Sequence, residues 1–199
     1  MSLTQPIRCR KQVHAIENFY FLRNEIRNYV LIVLSINTAL RICDLLRLTW
    51  DDVYDFDNKR FRVRIDITEQ KTGKRKLVTL NCKVISALTA FLASAERGRV
   101  LFISRNGNNK AICRQQAYRI IRAAAEALDF TTRVSCHSLR KTFGYFAWKA
   151  GVSPMIIMKI YNHSSLAVTQ LYLGITQDNI DNCYHEIGKI TSELVNSAN

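Results

Sequence analysis

Two stretches near the end of the chain decide the prediction of its fold and chemistry: Ser135-Cys-His-Ser-Leu-Arg-Lys-Thr-Phe-Gly144 and Asn162-His-Ser-Ser-Leu-Ala-Val-Thr-Gln-Leu-Tyr172. His137 and Arg140 are three residues apart, so they project from one face at the start of a predicted helix. Tyr172 follows His163 by nine residues, a spacing that suits a short helix returning the tyrosine to the histidine. The two stretches therefore predict one tyrosine hydroxyl surrounded by arginine and histidine donors.

Such a cluster has the chemistry that phosphoryl transfer onto tyrosine requires, because the cations neutralise the phosphate and the hydroxyl attacks it. Each residue also fits an ordinary structural role. His137 could be a satisfied core or cap residue, and His163 a turn or cap residue before a helix. Tyr172 could be a half-buried helical ring, as tyrosines usually are. The spacing alone leaves both explanations open.

The rest of the chain predicts an α+β fold that is mainly α-helical with one small antiparallel sheet. Alternation of apolar and charged residues predicts a strand over 61–67, paired through a turn at Thr72-Gly73 with a second strand over 76–80. The segment 50–58, rich in aspartate, is predicted as a loop, and Asn106-Gly107 as a turn. Helices are predicted over 13–22, 25–40 (continuing or turning sharply at 41–46), 81–96 ended by Gly98, 114–128, 138–149, 155–161, 166–172 and 180–195.

The basic charge of the chain is concentrated in one part of the sequence. Residues 58–122 hold 16 Lys and Arg against three Asp and Glu, which accounts for the whole net charge of +13. A positive field concentrated in this way favours a polyanionic partner. The alternative is a solvated basic face that serves solubility.

Composition excludes several other classes of protein. The chain has 199 residues, 48% hydrophobic and 23% charged, as in a globular domain, and no apolar run approaches the ~20 residues of a membrane span. Its six cysteines form no Cys-x-x-Cys pair, and several lie in apolar helical patterns that predict small buried side chains. We therefore expect a reduced, cytoplasmic protein.

Two upstream basic residues are further candidates for a phosphate site. Arg41 ends an apolar helix, where a guanidinium needs an anionic partner; that partner is either a phosphate or Asp44, three residues on. Lys71 lies at the predicted hairpin tip, where a lysine with a lowered pKa could protonate a leaving oxygen. From composition alone, Lys74 or Lys76 would serve as well.

The two opening stretches, together with the segment around Arg41, resemble the tyrosine recombinase (phage integrase) family. The resemblance covers roughly residues 13–190, and it favours Lys71 when residues 77–80 are aligned with the family's strand after the hairpin. The chain departs from the family at Ala39 and Asn162, where relatives usually have glycine, and at Lys141, where many have a second histidine. The catalytic residues implied, in the family's order, are Arg41, Lys71, His137, Arg140, His163 and Tyr172.

The resemblance implies a role for each of these residues. Tyr172 is the nucleophile that attacks a DNA phosphate, and Arg41 and Arg140 stabilise the charge on its nonbridging oxygens. Lys71 protonates the leaving 5′-oxygen. His163 donates a hydrogen bond to the phosphate, and His137 assists with the tyrosine proton. The covalent link conserves the phosphoester energy, so no cofactor and no metal are expected.

The resemblance also implies partners and a domain layout. Double-stranded DNA is the expected partner, and residues 174–199 read as an acidic helix with an apolar stripe. We expect this helix, at about 178–197, to dock on a neighbouring protomer in a homo-oligomer, up to a tetramer on DNA and a monomer when free; packing on its own core is the alternative. We expect a single catalytic domain over 1–199, with an N-terminal extension at about 1–12 and no separate core-binding domain. Relatives normally carry such a domain, so the chain is either a catalytic fragment or one of the family's short, catalytic-domain-only members.

Two other functions share parts of this pattern. A type IB topoisomerase-like enzyme uses the same chemistry to relax DNA without exchanging strands. A non-catalytic DNA-binding regulator could keep the fold alone, although the complete residue set argues against it.

Overall fold

The chain folds into a helical bundle flanked by two short β-hairpins. A computed structural model describes residues 4–94, 99–105, 110–175 and 177–196, the backbone alone at 177–180 and 191–196. The helices are α1 Arg10–Phe21, α2 Ile26–Asn37, α3 Ile42–Leu45, α4 Trp50–Val53, α5 Cys82–Ala93, α6 Arg114–Ala127, α7 Cys136–Lys149, α8 Pro154–Tyr161, α9 Leu166–Leu173 and α10 Gln177–Asn196. The strands are β1 Tyr54–Asp55, β2 Arg60–Phe61, β3 Arg64–Thr68 and β4 Arg75–Thr79.

Helix α2 lies at the centre of the core. Its five consecutive apolar residues Val30 to Leu34 are all completely buried. Five successive positions point around the whole helix, so α2 needs partners on every side. Helices α1, α5 and α7 pack against it and supply them. The predicted class, mainly α-helical with a minor antiparallel component, is confirmed.

The end of α2 determines where Arg41 lies. The helix stops at Asn37 rather than at residue 40, and Ala39 follows with a φ of 52°. This left-handed conformation costs a non-glycine residue roughly 1–2 kcal/mol. It turns the chain sharply, so that Arg41 is the extended N-cap of α3. Of the two predicted continuations, the sharp turn is correct, and Ala39 keeps the conformation that glycine would favour.

The prediction of one sheet is wrong, because the described residues form two separate antiparallel pairs. The predicted strand over 61–67 is divided: β2 pairs with β1, and β3 pairs with β4. The ring of Tyr54 lies 5.0 Å from each of the rings of Phe56 and Phe61 in edge contacts, which stabilise the first pair independently of the second. The second hairpin follows the prediction, with Ile67 opposite Lys76 and Gly73 at a φ of 65° in the turn.

The aspartate-rich segment 50–58 is not a simple loop. It contains α4 and β1, because Asp52 accepts hydrogen bonds from the backbone N–H of Thr49 at 2.7 Å and from its hydroxyl at 2.8 Å. This capping interaction begins a helix at Trp50. The sequence does not reveal this helix start, because a capping aspartate and a loop aspartate look alike in a segment rich in aspartate.

Helices α7 to α9 carry or flank four of the six candidate residues, His137, Arg140, His163 and Tyr172, and begin at side-chain caps. Ser135 caps α7 by accepting from the backbone N–H of Ser138, so the helix begins two residues earlier than predicted. Asn162 ends α8 with a φ of 54°, which asparagine tolerates as expected. Ser165 caps α9, which ends at Gly174 with a φ of 66°. Both ends of the tyrosine helix are therefore fixed by local chemistry.

The remaining differences lie at element ends. Helix α1 starts at Arg10 rather than at residue 13, without a side-chain cap to mark its start. Asn81 caps α5 as predicted, but this helix ends at Ala93; Glu96, Gly98 and the turn at Asn106-Gly107 lie outside the described residues. All six cysteines are free, four exposed and two partly buried, so the prediction of buried cysteines is wrong. Among the helices in the described ranges, none is long and apolar enough to cross a membrane.

Candidate active site

The ring of Tyr172 lies in a cluster of aromatic and basic side chains. Helix α9 places it edge-on against His163, with 4.4 Å between ring centroids, and against His137, with 4.8 Å. The Nζ atom of Lys141 lies 5.1 Å from the centre of the same ring. Burial raises the pKa of Tyr172, although the nearby charges of Arg140 and Arg41 act in the opposite direction. The spacing of nine residues therefore brings histidine and tyrosine together, as predicted.

Arg140 is buried at the base of this cluster, with only 2% of the residue exposed. Its Nη2 donates to the Tyr161 carbonyl at 3.0 Å, and its Nη1 donates to the Ala39 carbonyl. The Tyr161 hydroxyl in turn donates to the Arg140 carbonyl at 2.7 Å. Tyr161 is the last residue of α8, where the helix dipole favours a cation. These contacts fix the guanidinium before any substrate arrives.

The packing between α7 and α8 depends on Gly144. A Cβ atom at this position would lie 2.3 Å from the Tyr161 hydroxyl oxygen. Any larger side chain would therefore push away the tyrosine whose carbonyl orients Arg140. The glycine in the first quoted stretch is explained by this close approach.

Arg41 forms an ion pair with Glu69, and the predicted alternative of an ion pair with Asp44 is wrong. The Arg41 Nη1 and Glu69 Oε1 atoms lie 2.6 Å apart, as a close ionic contact rather than an aligned hydrogen bond. Asp44 instead accepts the backbone N–H of Gln70 at 2.8 Å. The Arg41 side chain is 20% exposed, so part of its guanidinium faces the solvent-filled cleft. The spacing of three residues between Arg41 and Asp44 therefore did not identify the ion-pair partner of Arg41, since α3 has only four residues.

Two charged residues outside the six predicted site residues, Glu69 and Lys76, complete the charge network. Glu69 is fully buried and accepts hydrogen bonds from Asn162 Nδ2 at 3.0 Å and from Thr72 Oγ1 at 2.8 Å. Burial alone would raise the pKa of Glu69, but these hydrogen bonds and the Arg41 charge outweigh it and hold that pKa below its usual range. Lys76 is the other, and its Nζ donates to the Ala39 carbonyl at 3.1 Å.

The three hairpin lysines occupy different environments. Lys71 is exposed at the tip and lines the cleft, whereas Lys74 is exposed outside that lining. Lys76 is only 7% exposed, and burial, together with the charges of Arg140 and Arg41, lowers its pKa to about 7. Alternation along a strand places Lys76 on the same buried side of β4 as Val78, and the register partner Ile67 faces that side too. This period of two is the sequence signal that could have identified Lys76.

Both histidines are held in the neutral form at neutral pH. Burial and the charge of Arg140 lower the pKa of His163 to about 4, and its Nδ1 lies 3.0 Å from the Thr169 hydroxyl. The pKa of His137 is also lowered to about 4, because nearby protein atoms desolvate the charged imidazolium and because the positive charges of Lys141 and Arg140 disfavour it. His137 remains open to the cleft from the first turn of α7. Neutral imidazoles can accept a proton or donate a hydrogen bond.

An open cavity of about 840 Å³ brings most of the predicted residues together. Five of the six predicted site residues line it, and His163 lies beside it against Tyr172. The lining is Arg41, Ile42, Cys43, Lys71, Arg114, Gln115, Tyr118, Ser135, Cys136, His137, Arg140 and Tyr172. In the part of the chain that is described, no group of three His, Cys, Asp or Glu side chains could hold a metal ion. The cavity is therefore a basic cleft suited to an anion.

Comparison with known proteins agrees with this geometry. The phage integrase family matches residues 10–178. A probable integrase/recombinase, YoeC of Bacillus subtilis, is 32% identical over 188 residues, 94% of this chain and 99% of YoeC. Tyrosine recombinase XerD of Mycobacterium tuberculosis is 28% identical over 76% of this chain and 49% of its own length. The chain thus spans nearly all of YoeC but about half of XerD.

Solved structures share the fold. A crystal structure of XerA recombinase superposes with a TM-score of 0.74 at 21% identity, covering 92% of this chain and 66% of XerA. XerH site-specific recombinase bound to a palindromic difH substrate gives a TM-score of 0.71 at 16% identity, over 92% of this chain and 53% of XerH. The matched family, the clustered residues and the shared fold therefore agree with one another. The chain belongs to the phage integrase family and carries the catalytic domain of a tyrosine recombinase, an enzyme class that cleaves and rejoins DNA.

Proposed function

We propose that this chain is the catalytic domain of a site-specific recombinase that cleaves DNA through Tyr172. The observation that carries the proposal is the single basic cleft, in which the Tyr172 ring lies among two histidines and beside two arginines. The tyrosine oxygen forms a bond to the scissile phosphorus, and the bond from phosphorus to the 5′-oxygen breaks. The products are a 3′-phosphotyrosyl link and a free 5′-hydroxyl, which attacks the link in the reverse step to rejoin a strand.

Each predicted residue has a role that its position supports. Arg41 and Arg140 bind the nonbridging oxygens, where preorganised cations stabilise the developing charge. His163 donates a hydrogen bond to the phosphate from beside the tyrosine ring. His137, neutral at the mouth of the cleft, accepts the tyrosine proton. Lys71 protonates the leaving 5′-oxygen from the hairpin tip. Because the phosphoester energy is kept in the covalent link, the residues present are sufficient for the chemistry.

We expect DNA to bind in the cleft and along the positive face of α6 beside it. Arg114, Gln115 and Tyr118 line the cleft from that helix. The Tyr118 hydroxyl accepts hydrogen bonds from Arg122 at 3.1 Å and from Arg133 at 2.9 Å, which extends the basic surface outward. Replacing one phosphate-contacting cation such as Arg114 should reduce the slope of log K against log salt by about 1.

The test of the chemistry is capture of a covalent protein–DNA adduct. A pool of nicked duplexes, randomised around the nick, loses the short 5′-fragment on cleavage and so traps the intermediate. Adducts recovered under denaturing conditions are sequenced, which also identifies the preferred site. Wild type should form them, Tyr172→Phe should not, and Tyr54→Phe, a matched change on a β1 tyrosine outside the cleft lining, should behave like wild type. A Tyr172→Phe adduct, or none with wild type, would refute the assignment.

We further propose that the working form is a homo-oligomer on DNA, up to a tetramer, linked through α10. Residues 181–190 of this helix are exposed, including Tyr184, Ile187 and Ile190 at 76%, 61% and 54%. An apolar stripe with this much exposed surface favours docking on another protomer over packing on its own core. On DNA carrying adjacent sites, sedimentation should give higher oligomers for wild type and only independent monomers for Ile187→Lys, with single-site cleavage retained. Equal assembly by both proteins would exclude α10 as the link.

A further inference from the structure

Glu69 is the point at which the separate parts of the cleft meet. Its carboxylate contacts Arg41 at 2.6 Å, Asn162 at 3.0 Å and Thr72 at 2.8 Å. These three residues come from the N-terminus of α3, the end of α8 and the turn of the second hairpin. A fully buried carboxylate destabilises the folded state unless other groups contact its oxygens. Here all three elements supply such contacts.

The elements held by Glu69 also carry other residues of the proposed reaction. Lys71 lies inside the turn that Glu69 closes, where the Gly73 N–H donates to the Glu69 carbonyl at 2.9 Å. His163 directly follows Asn162. Lys76 lies 3.9 Å from the same carboxylate and shares the Ala39 carbonyl with Arg140. The carboxylate therefore contacts the hairpin, Arg41 and the histidine turn directly, and it is linked to Arg140 only through Lys76 and the Ala39 carbonyl.

Resting on the proposed function, we propose that Glu69 is a positioning residue for DNA cleavage, whose buried carboxylate fixes Arg41 against the turn formed by Asn162 and His163. Glu69 touches Nη1 of Arg41, and the Tyr161 carbonyl accepts from Nη2 at 3.4 Å. A guanidinium has five N–H donors, so others remain free to face the cleft. A side chain already oriented in this way loses little conformational entropy when the phosphate arrives.

Two variants separate this role from general folding. Glu69→Gln keeps the shape and an acceptor oxygen but removes the charge opposite Arg41. Asn162→Gly removes the amide donor while glycine adopts the left-handed φ without strain. Asp66→Asn is the matched control, since Asp66 is a half-exposed carboxylate on the same hairpin that pairs with Arg75 at 2.5 Å. The double variant tests whether Glu69 and Asn162 act as one unit.

The measurement is the single-turnover rate of adduct formation on a captured DNA site at saturating enzyme, with DNA affinity and melting temperature measured in parallel. We expect Glu69→Gln to slow cleavage by about ten- to a hundredfold, as for loss of a charge-assisted contact, with nearly unchanged affinity. Asn162→Gly should slow it less, the double variant no more than Glu69→Gln, and Asp66→Asn not at all.

A second substrate distinguishes positioning of Arg41 from a merely structural defect. In a methylphosphonate linkage, one nonbridging oxygen is replaced by a methyl group, so the phosphate is neutral and needs less help from Arg41. A defect transmitted through Arg41 should shrink to about threefold or less on this substrate, whereas misfolding would slow both substrates equally.

The outcomes are distinct. If wild type cleaves and Glu69→Gln matches it, or if both substrates suffer alike, the positioning role is wrong. If Glu69→Gln does not fold, Asn162→Gly on the two substrates decides the question by the same criterion. If wild type forms no adduct on any site, the proposed function fails, and the role of Glu69 fails with it.

Discussion

The turn of the second hairpin has a buried end, where it joins the strands, and an exposed end at its tip, and the two meet the cleft in opposite physical states. At the buried end, Glu69 and Lys76 belong to the clamp cluster, which we define as Ala39, Arg41, Glu69, Lys76 and Arg140; it is largely buried and interconnected by hydrogen bonds and ion pairs. At the exposed end, Lys71 lies beside a glycine turn. The proposed phosphate-binding residues are thus held in place by the fold, whereas the side chain of the proposed acid is not held by burial. Variants at the two ends should therefore fail in different ways.

The largest expected effect is at the buried end. Arg140→Gln should slow adduct formation by about 10²–10³-fold, the typical loss on removing one preorganised donor. It should also lower the melting temperature, because the Ala39 and Tyr161 carbonyls lose their buried partner. Single-turnover cleavage and thermal unfolding measure the two effects. A variant that loses cleavage with unchanged stability would show that the clamp cluster is not structurally integrated.

The exposed end should separate activity from stability. Lys71→Ala should slow cleavage by about 10²-fold or more, as for loss of a general acid. Its melting temperature should stay at the wild-type value, since the side chain is exposed. Lys74→Ala is the matched control and should leave both unchanged. A larger loss for Lys74→Ala than for Lys71→Ala would place the acid on the other lysine.

Packing beneath the clamp cluster gives a smaller effect. Gly144→Ala places a methyl group 2.3 Å from the Tyr161 hydroxyl, and overpacking of this kind costs about 1–3 kcal/mol of unfolding free energy. Denaturant unfolding measures it. Gly188→Ala on α10 meets no atom within 4 Å and should be neutral or stabilising by up to ~1 kcal/mol. Equal effects at the two glycines would contradict the close approach of α7 and α8.

The last expected effect is a dependence of stability on pH, and it concerns the charge of Lys76. Its pKa is lowered in the folded state from 10.5 to about 7, so between these values the unfolded chain binds the extra proton. The unfolding free energy of wild type relative to Lys76→Met should therefore rise as pH increases from 7 toward 10.5, at no more than about 1.4 kcal/mol per pH unit. Denaturant unfolding at pH 7 and pH 9.5 tests the sign. Lys74→Met, an exposed control, should show no such trend.

Sequence patterns predicted the residues of the cleft better than the contacts between them. The spacing from His163 to Tyr172 determines that the two rings meet, because one short helix joins them. The partner of Arg41 was open between a phosphate and Asp44, and the structure gives Glu69, 28 residues away along the chain. Glu69 carried no local signal, since a polar residue in a hairpin is usually exposed, and only the alternation along β4 pointed to Lys76. Their buried contacts are to Ala39, Arg41 and Asn162, which lie far away along the chain.

The boundaries of elements show the same division. Caps that use a neighbouring side chain, such as Asn81 and Ser165, could be located from the sequence. The separation of the β-strands into two pairs could not, because it depends on aromatic packing around Tyr54 rather than on alternation.

By itself, the sequence determined the mainly helical class, the family and six candidate residues, because these depend on local periodicity and on motifs with fixed spacing. Only the tertiary structure decided which charges neutralise one another, which lysine is buried and which is free, and that Ala39 offers one carbonyl to both Lys76 and Arg140. Electrostatic partners are chosen by distance through space and by burial, and neither quantity is written in the order of residues.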